Sequence, residues 1–340
     1  MSVPEISRPF VGLQRHQHRS QRIATWLYHK TRQCQDRAPP TENLVDGSSV
    51  TIVACPNDSP ITMVCVSDTH NTFPEQLPPG DILVHAGDLS QFGTFAEIQA
   101  QLTWLSAQPH QHKVVIAGNH DLLLDSEFVA AHPDRELDQV DGKRRQDLNW
   151  GDIHYLKHEA VELAVNGKDR SLRIFGSPWT PRFGNWAFQY ESTSGSSSVS
   201  ASMNWNGAVP PGTDVLIVHG PPKGHLDDGG KGCEQLMEEI WRSRPKVVVC
   251  GHIHAGRGVK RLWFDGAQSM YEAAVQGRGQ QWLVVLRLAL YWGWALLRRL
   301  LAPGGNEMPI MPSSTLLVNA AVVGGRGYTE HYHATIVGGL

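Results

Sequence analysis

Short runs of Val, Ile, Leu and Met recur along the chain. Five of them run into side chains that can bind a metal: ITMVCVSDTH from Ile61, DILVHAGDLS from Asp81, KVVIAGNHD from Lys113, DVLIVHG from Asp214 and KVVVCGHIH from Lys246. Apolar positions that follow one another rather than alternate predict a strand covered on both faces, and the Gly, Ser, Asn or Asp that ends each run predicts a loop. Between them lie stretches of helical character such as TFAEIQAQLTWLSAQ from Thr94. Strands alternating with helices predict βαβ units, in which parallel strands need long crossovers, so the fold class is α/β. In an open α/β sheet, the loops that leave the carboxyl ends of the strands converge on one crevice. The pattern therefore predicts that Asp68, His70, Asp88, Asn119, His120, His219, His252 and His254 meet in space.

Three regions depart from this rhythm. Residues 1–48 are mixed in composition, broken by Pro39 and Pro40 and closed by DGSS, which predicts a disordered or targeting extension ahead of a single domain over residues 49–340. The polar stretch from His132 to Asn149 predicts a surface helix or loop, and ESTSGSSSVS from Glu191 a flexible loop. The third region, QQWLVVLRLALYWGWALLRRLLA over residues 280–302, is the most apolar segment of the chain. Arg287 leaves uncharged runs shorter than the roughly 20 residues that a membrane span needs. As a helix it places Arg287, Tyr291, Trp294 and Arg298 near one face. That predicts peripheral contact with a membrane surface, with a buried or partner-binding helix as the alternative.

Composition narrows the picture. A chain of 340 residues with 41% hydrophobic and 19% charged residues can bury one substantial core with appendages. A formal charge of -3 argues against duplex nucleic acid as a partner. Cys34, Cys55, Cys65, Cys233 and Cys250 are odd in number and without CxxC spacing, which suits a reducing compartment. The expected location is intracellular, in the cytoplasm. Membrane attachment is one alternative, and an Arg-rich, acid-free stretch over residues 8–32 leaves a mitochondrial one open.

The strand-end residues have the chemistry of a two-metal centre. Asp68 and His70 offer an oxygen and a nitrogen from one loop. Asp88 adds a carboxylate able to bridge two ions, and Asn119, His219, His252 and His254 add an amide oxygen and three imidazoles. Two divalent cations held in this way polarise a phosphate ester and make hydroxide available near neutral pH, so in-line attack on phosphorus needs no protein nucleophile. His120, beside Asn119, is expected to take no metal and to assist the leaving group. His85, inside its strand, reads as structural.

These motifs, DxH, GD, GNH, H and GHxH in that order over residues 61–254, resemble those of the calcineurin-like metallophosphoesterase superfamily. The resemblance implies a four-layer, two-sheet α/β sandwich. It also implies a first ion on Asp68, His70, Asp88 and His254, and a second on Asp88, Asn119, His219 and His252. The chain departs from the protein Ser/Thr phosphatases: it has GDLSQFG and AGNHD where they have GDxxDRG and RGNHE, Gln91 stands where an Asp would orient the histidine, and their phosphate-gripping arginines are missing. GSPWTPRFGNWAF from Gly176, HGPPKGHLD from His219 and LLVNAAVVGG from Leu316 are similar to stretches of the metallophosphoesterase-domain-containing subfamily. This likeness implies a phosphodiesterase acting on a nucleotide or cyclic nucleotide, with two divalent ions, Mn ahead of Fe, Zn or Co. It also marks residues 267–312 as an insertion at a sheet-edge connection. Trp179, Arg182, Phe183 and Trp186 are candidate substrate contacts, aromatic faces being able to stack a base. The rival expectation is a catalytically weak metal-binding scaffold on the same fold.

Overall fold

The computed structural model describes residues 19–35, 42–45, 48–51, 61–135, 142–168, 171–191, 203–301, 313–324, 329–338 and 340. Two sheets carry the architecture. The first has the order β17-β3-β4-β5-β6, from β3 (Thr62–Val66), β4 (Ile82–Ala86), β5 (His112–Ile116), β6 (Ile153–Tyr155) and β17 (Thr335–Gly338). Its first four strands in chain order are parallel, and β17 closes one edge antiparallel to β3. The second sheet has the order β13-β14-β12-β11-β8-β7, from β7 (Glu159–Ala164), β8 (Ser171–Ser177), β11 (Val215–Val218), β12 (Val247–Cys250), β13 (Gly258–Trp263) and β14 (Ser314–Asn319). Its four central strands are parallel, and antiparallel β7 and β13 lie at the edges.

The five runs singled out by hydropathy are β3, β4, β5, β11 and β12, and successive side chains along each serve two different cores. Met63 and Cys65 of β3, with Ile82, Val84, Val114 and Ile116, meet Ile174, Ile217, Val249 and Val318 between the sheets. Val64, Val66, Leu83 and Val115 turn the other way onto Ile98, Leu102 and Leu105 of α2 (Phe95–Ser106). On the far side, Leu216, Val218, Val248 and Cys250 pack on Leu236, Met237 and Ile240 of α4 (Glu234–Ser243). The result is four layers, helix, sheet, sheet and helix. Helix α2 starts where its sequence dictates: Glu97 donates its backbone N–H to Thr94 Oγ1 (3.3 Å), and the Thr94 N–H is accepted by the Glu97 carboxylate (3.1 Å).

The smaller elements are a hairpin of β1 (Glu42–Val45) and β2 (Ser48–Thr51), α3 (Ser126–Ala131), the pair β9 (Thr180–Pro181) with β10 (Gln189–Tyr190), and the pair β15 (Val323–Gly324) with β16 (Glu330–His331). Where described, the His132–Asn149 stretch forms two short 3-10 turns. Of the expected ESTSGSSSVS loop, all but Glu191 lies outside the described residues.

The amino-terminal expectation needs correction. Within the region read as an extension, Arg19–Gln35 forms helix α1. Its Ala24, Leu27 and Tyr28 pack on α5 (Gly266–Val275) and α6 (Gln281–Leu301) through Ala267, Tyr271, Ala274, Val275, Val284, Val285 and Leu288. Tyr28 stacks on Tyr271 at 4.4 Å, and Arg32 grips the Asp265 carboxylate with two nitrogens at 2.7 and 2.9 Å. Helices α5 and α6 occupy the connection between edge strand β13 and its partner β14, where an insertion was expected. Among the described residues, no helix is long and apolar enough to cross a membrane.

Candidate metal centre

The loops that leave β3, β4, β5, β11 and β12 are tied together by their main chains. The loop after β3 leans on the loop after β4 through Asp68 N–H to Gly87 O (2.9 Å) and His70 N–H to Asp88 O (3.1 Å), and Gly251 N–H donates to His219 O (2.9 Å). Space between them is minimal. A methyl group on Gly118 would lie 2.2 Å from Asp88 Oδ1, and one on Gly251 would lie 2.0 Å from Asp68 Oδ2. Asp68, His70, Asp88 and His252 all have positive φ, from 42 to 63°. For residues other than glycine this conformation is uncommon and costs on the order of 1 kcal/mol each, a strain found chiefly at functional sites.

All eight predicted residues are brought together. Asp68 and Asp88 are buried, and each faces imidazoles. Asp68 Oδ1 lies 3.2 Å from His254 Nε2, while the His252 N–H donates to the same carboxylate at 2.9 Å. Asp88 Oδ2 lies 3.3 Å from His219 Nε2 and 3.7 Å from His70 Nε2, and Asp88 Oδ1 accepts the His120 N–H at 2.8 Å. The Asn119 amide oxygen lies 3.1 Å from His219 Nε2. Nδ1 of His219 lies 2.9 Å from the Ala86 carbonyl and donates to it, which leaves Nε2 as the ligand atom.

Donor atoms converge within 4.8 Å of one another in three groups: Asp68, His70 and His254; His70, Asp88 and His120; Asp88, His219 and His252. Burial alone would raise both carboxyl pKa values. The facing imidazoles override it, drawing Asp68 down to about 2 through His254 and His219, and Asp88 well below the usual carboxylate range through His219, His120 and His70. Burial lowers His252 to about 4; it would lower His219 too, but the Asp88 carboxylate holds that ring up at about 9. Two buried, ionised carboxylates facing imidazoles, on loops packed so closely that neither Gly118 nor Gly251 could carry a side chain, fit two divalent cations.

His120 is aimed by the main chain. Its Nδ1 donates to the Gln91 carbonyl at 2.8 Å, so the peptide of the residue that replaces the phosphatases' Asp does the orienting. Trp186 lies over the His120 ring at 4.1 Å, and the Arg135 guanidinium lies over Trp186 at 5.0 Å. The other aromatic candidates are placed differently. Trp179 packs edge-on against buried Phe188 at 5.8 Å, Phe183 is 80% exposed, and Arg182 is paired on the surface with Glu191 at 2.5 Å. His85 is buried and its pKa is pushed down to about 3. Its Nδ1 accepts the Gly87 N–H and its Nε2 meets Thr69 Oγ1 at 3.0 Å, so it is structural.

Two residues beyond the motif reading complete the frame. Asp121, fully buried, accepts hydrogen bonds from Leu89 N–H, Ser90 N–H, Ser90 Oγ and Gly118 N–H at 2.7 to 3.2 Å, clamping the Asp88 loop to the Asn119 loop. Asn319, at the end of β14, donates to the Ile253 carbonyl at 2.9 Å and so anchors the His252–His254 turn. An Asp directly after GNH signals the first; nothing local signals the second.

Comparison with known proteins agrees with this geometry. The model of the calcineurin-like phosphoesterase family matches residues 61–256. Metallophosphoesterase domain-containing protein 1 of Homo sapiens is 36% identical over 251 residues, which cover 70% of this chain and 72% of that protein. A UPF0046 protein of Caenorhabditis elegans is 33% identical over 58% of this chain and 52% of its own length. A probable rhamnogalacturonate lyase C of Emericella nidulans is 41% identical over 79% of this chain, yet the match spans only 23% of that relative.

Proposed function

This chain belongs to the calcineurin-like phosphoesterase family, and from that premise we propose that it is a two-metal hydrolase of phosphodiesters, of the nucleotide or cyclic-nucleotide type. The observation that carries the reading is the position of Asp88. A single carboxylate stands between the Asp68, His70, His254 group on one side and the Asn119, His219, His252 group on the other. The first group with Asp88 would hold one ion and the second with Asp88 the other. Divalent ions there, Mn or a similar metal, would supply Lewis acidity, neutralising phosphoester charge and acidifying water for in-line displacement.

The chain's own groups do the rest. His120, with Nδ1 committed to the Gln91 carbonyl, presents Nε2. When protonated, that nitrogen donates to the departing oxygen as the P–O bond breaks, and the carbonyl steadies the cationic ring. Trp186 covers one face of the ring and restricts its rotation. Preference for a diester is supported by the sequence: GDLSQFG and AGNHD lack the arginines with which the protein Ser/Thr phosphatases answer the second negative charge of a monoester. The intact set of imidazoles speaks against the scaffold reading.

The test is hydrolysis of bis-p-nitrophenyl phosphate against p-nitrophenyl phosphate by Mn-loaded protein. The diester is expected to turn over at least about a hundredfold faster, and Asp88→Asn to abolish turnover. Undiminished activity in that variant overturns the two-metal reading, and a monoester preference overturns the substrate class.

A further inference from the structure

We propose that the outer face of α6, with α1 beside it, is a docking surface for an anionic lipid bilayer, on which the protein lies as a peripheral guest. Helix α6 buries only one side. Val284, Val285 and Leu288 pack on α1 and α5, while Trp282, Leu283, Leu286, Leu290, Trp294, Leu297, Leu300 and Leu301 are exposed, Leu290 at 66% and Trp282 at 62%. At 100° per residue these eight side chains fall within an arc of about 120°, directly opposite the buried side. They form an unbroken apolar stripe along a helix about 31 Å long. Arg287 and Arg298 are exposed along one margin of the stripe, and the Arg298 guanidinium lies over the Trp294 ring at 5.1 Å. Aromatic and guanidinium groups at the border of an apolar face are what the headgroup boundary of a bilayer accommodates.

Charge selects the occupant. Helices α1 and α6 together carry seven Lys and Arg and not one Asp or Glu. Arg32 is paired with Asp265, whereas Arg19, Arg22, Arg287 and Arg298 are exposed. The rest of the chain holds twenty-three basic residues against thirty-three acidic ones. The molecule is therefore acidic overall but basic along this exposed apolar face. A second copy placed on this face would bring two acid-free basic rims together. An anionic leaflet supplies the opposite charge and a place for the Trp rings. The helix lies in the surface rather than across it, since no described helix is long and apolar enough to cross a membrane.

Flotation of the full chain with vesicles tests this directly. Protein is expected to float with phosphatidylcholine vesicles containing about 30% phosphatidylserine, and at least about tenfold less with phosphatidylcholine alone. The triple substitution Leu286→Glu, Leu290→Glu and Trp294→Glu is expected to abolish flotation. Charge reversal by Arg287→Glu with Arg298→Glu is expected to weaken it severalfold. All five positions are exposed, so an unchanged melting temperature certifies the fold of each variant. Absence of wild-type flotation, or undiminished flotation of the triple variant, overturns the proposal. So does a wild-type dimer that the triple variant converts to monomer in sedimentation without any vesicle binding, a result that assigns the face to a second copy.

Discussion

His120 shows how little sequence separates a candidate ligand from a candidate proton donor. It adjoins Asn119, and its backbone N–H touches Asp88, yet its ring is turned by the Gln91 carbonyl. If its work is protonation of the leaving oxygen, the loss in His120→Ala must depend on the alcohol expelled. With an alkoxide leaving group, kcat is expected to fall about 10²-fold or more, and with p-nitrophenolate, which needs no proton, much less. Equal losses in steady-state kinetics on the two diesters would assign the ring a structural role. The convergence of the candidate ligands was legible because each follows an apolar run directly, so the sheet alone decides where it goes. Gln91 was legible only as a missing Asp, because its contribution is a peptide oxygen that every residue has. Trp179 and Trp186 looked equivalent in the sequence. One packs on Phe188 and the other covers His120, and what distinguishes them is the path of the loop in space.

Among elements, α1 was misread, as was the β1–β2 hairpin that begins in the same stretch. The apolar positions of α1 are few, and their partners lie some 240 residues away on α5 and α6, so local pattern had nothing to register. Its contribution is nonetheless specific. Tyr28 is buried, stacks on Tyr271 and donates to Gln268 Oε1 at 2.5 Å. Tyr28→Ala is expected to cost about 3 kcal/mol in urea unfolding, as large aromatic truncations in cores do. A loss below about 0.5 kcal/mol would mean the helix packs without stabilising. The same seam predicts a response to acid. His225, from the loop after β11, is fully buried with Glu272 Oε1 at 3.1 Å and Gln268 Nε2 at 2.9 Å, and Lys260 and Asp227 also act on it. Burial first, then Lys260, pushes its pKa from 6.5 down to about 4. The unfolded chain therefore takes up this proton at higher pH than the folded one. Its contribution to stability is complete above pH 6.5 and is lost progressively as pH falls toward 4. Urea midpoints for His225→Gln are expected to fall less between pH 7 and pH 5 than those of the wild type; parallel falls would remove His225 as the cause.

At the scale of the molecule, the stretch that carries the motifs is shorter than the stretch that builds the two sheets. The family match ends at residue 256, but β14 lies beyond it and is hydrogen-bonded to β12 on one side and β13 on the other, and β17 pairs with β3. Cutting the chain to residues 61–256 would strip both β13 and β14 from one sheet and edge strand β17 from the other, and would remove Asn319 from beneath the histidine turn. Such a fragment is expected to retain no Mn on gel filtration and to show no cooperative thermal transition. A folded, metal-loaded fragment would show that the centre is self-sufficient. The sheets were legible at this scale because buried parallel strands announce themselves, and the way the late strand threads between earlier ones was not, since pairing order leaves no mark on composition.

In the β13–β14 hairpin, Trp263 faces Ser314 across the ladder. The chain therefore departs into α5 and α6 and comes back to almost the point it left. An excursion with touching ends leaves the β13–β14 ladder in register, yet its helix α5 reaches back through Gln268 and Glu272 to His225, six residues past His219, so whatever loads the excursion is felt one loop away from the candidate metal centre.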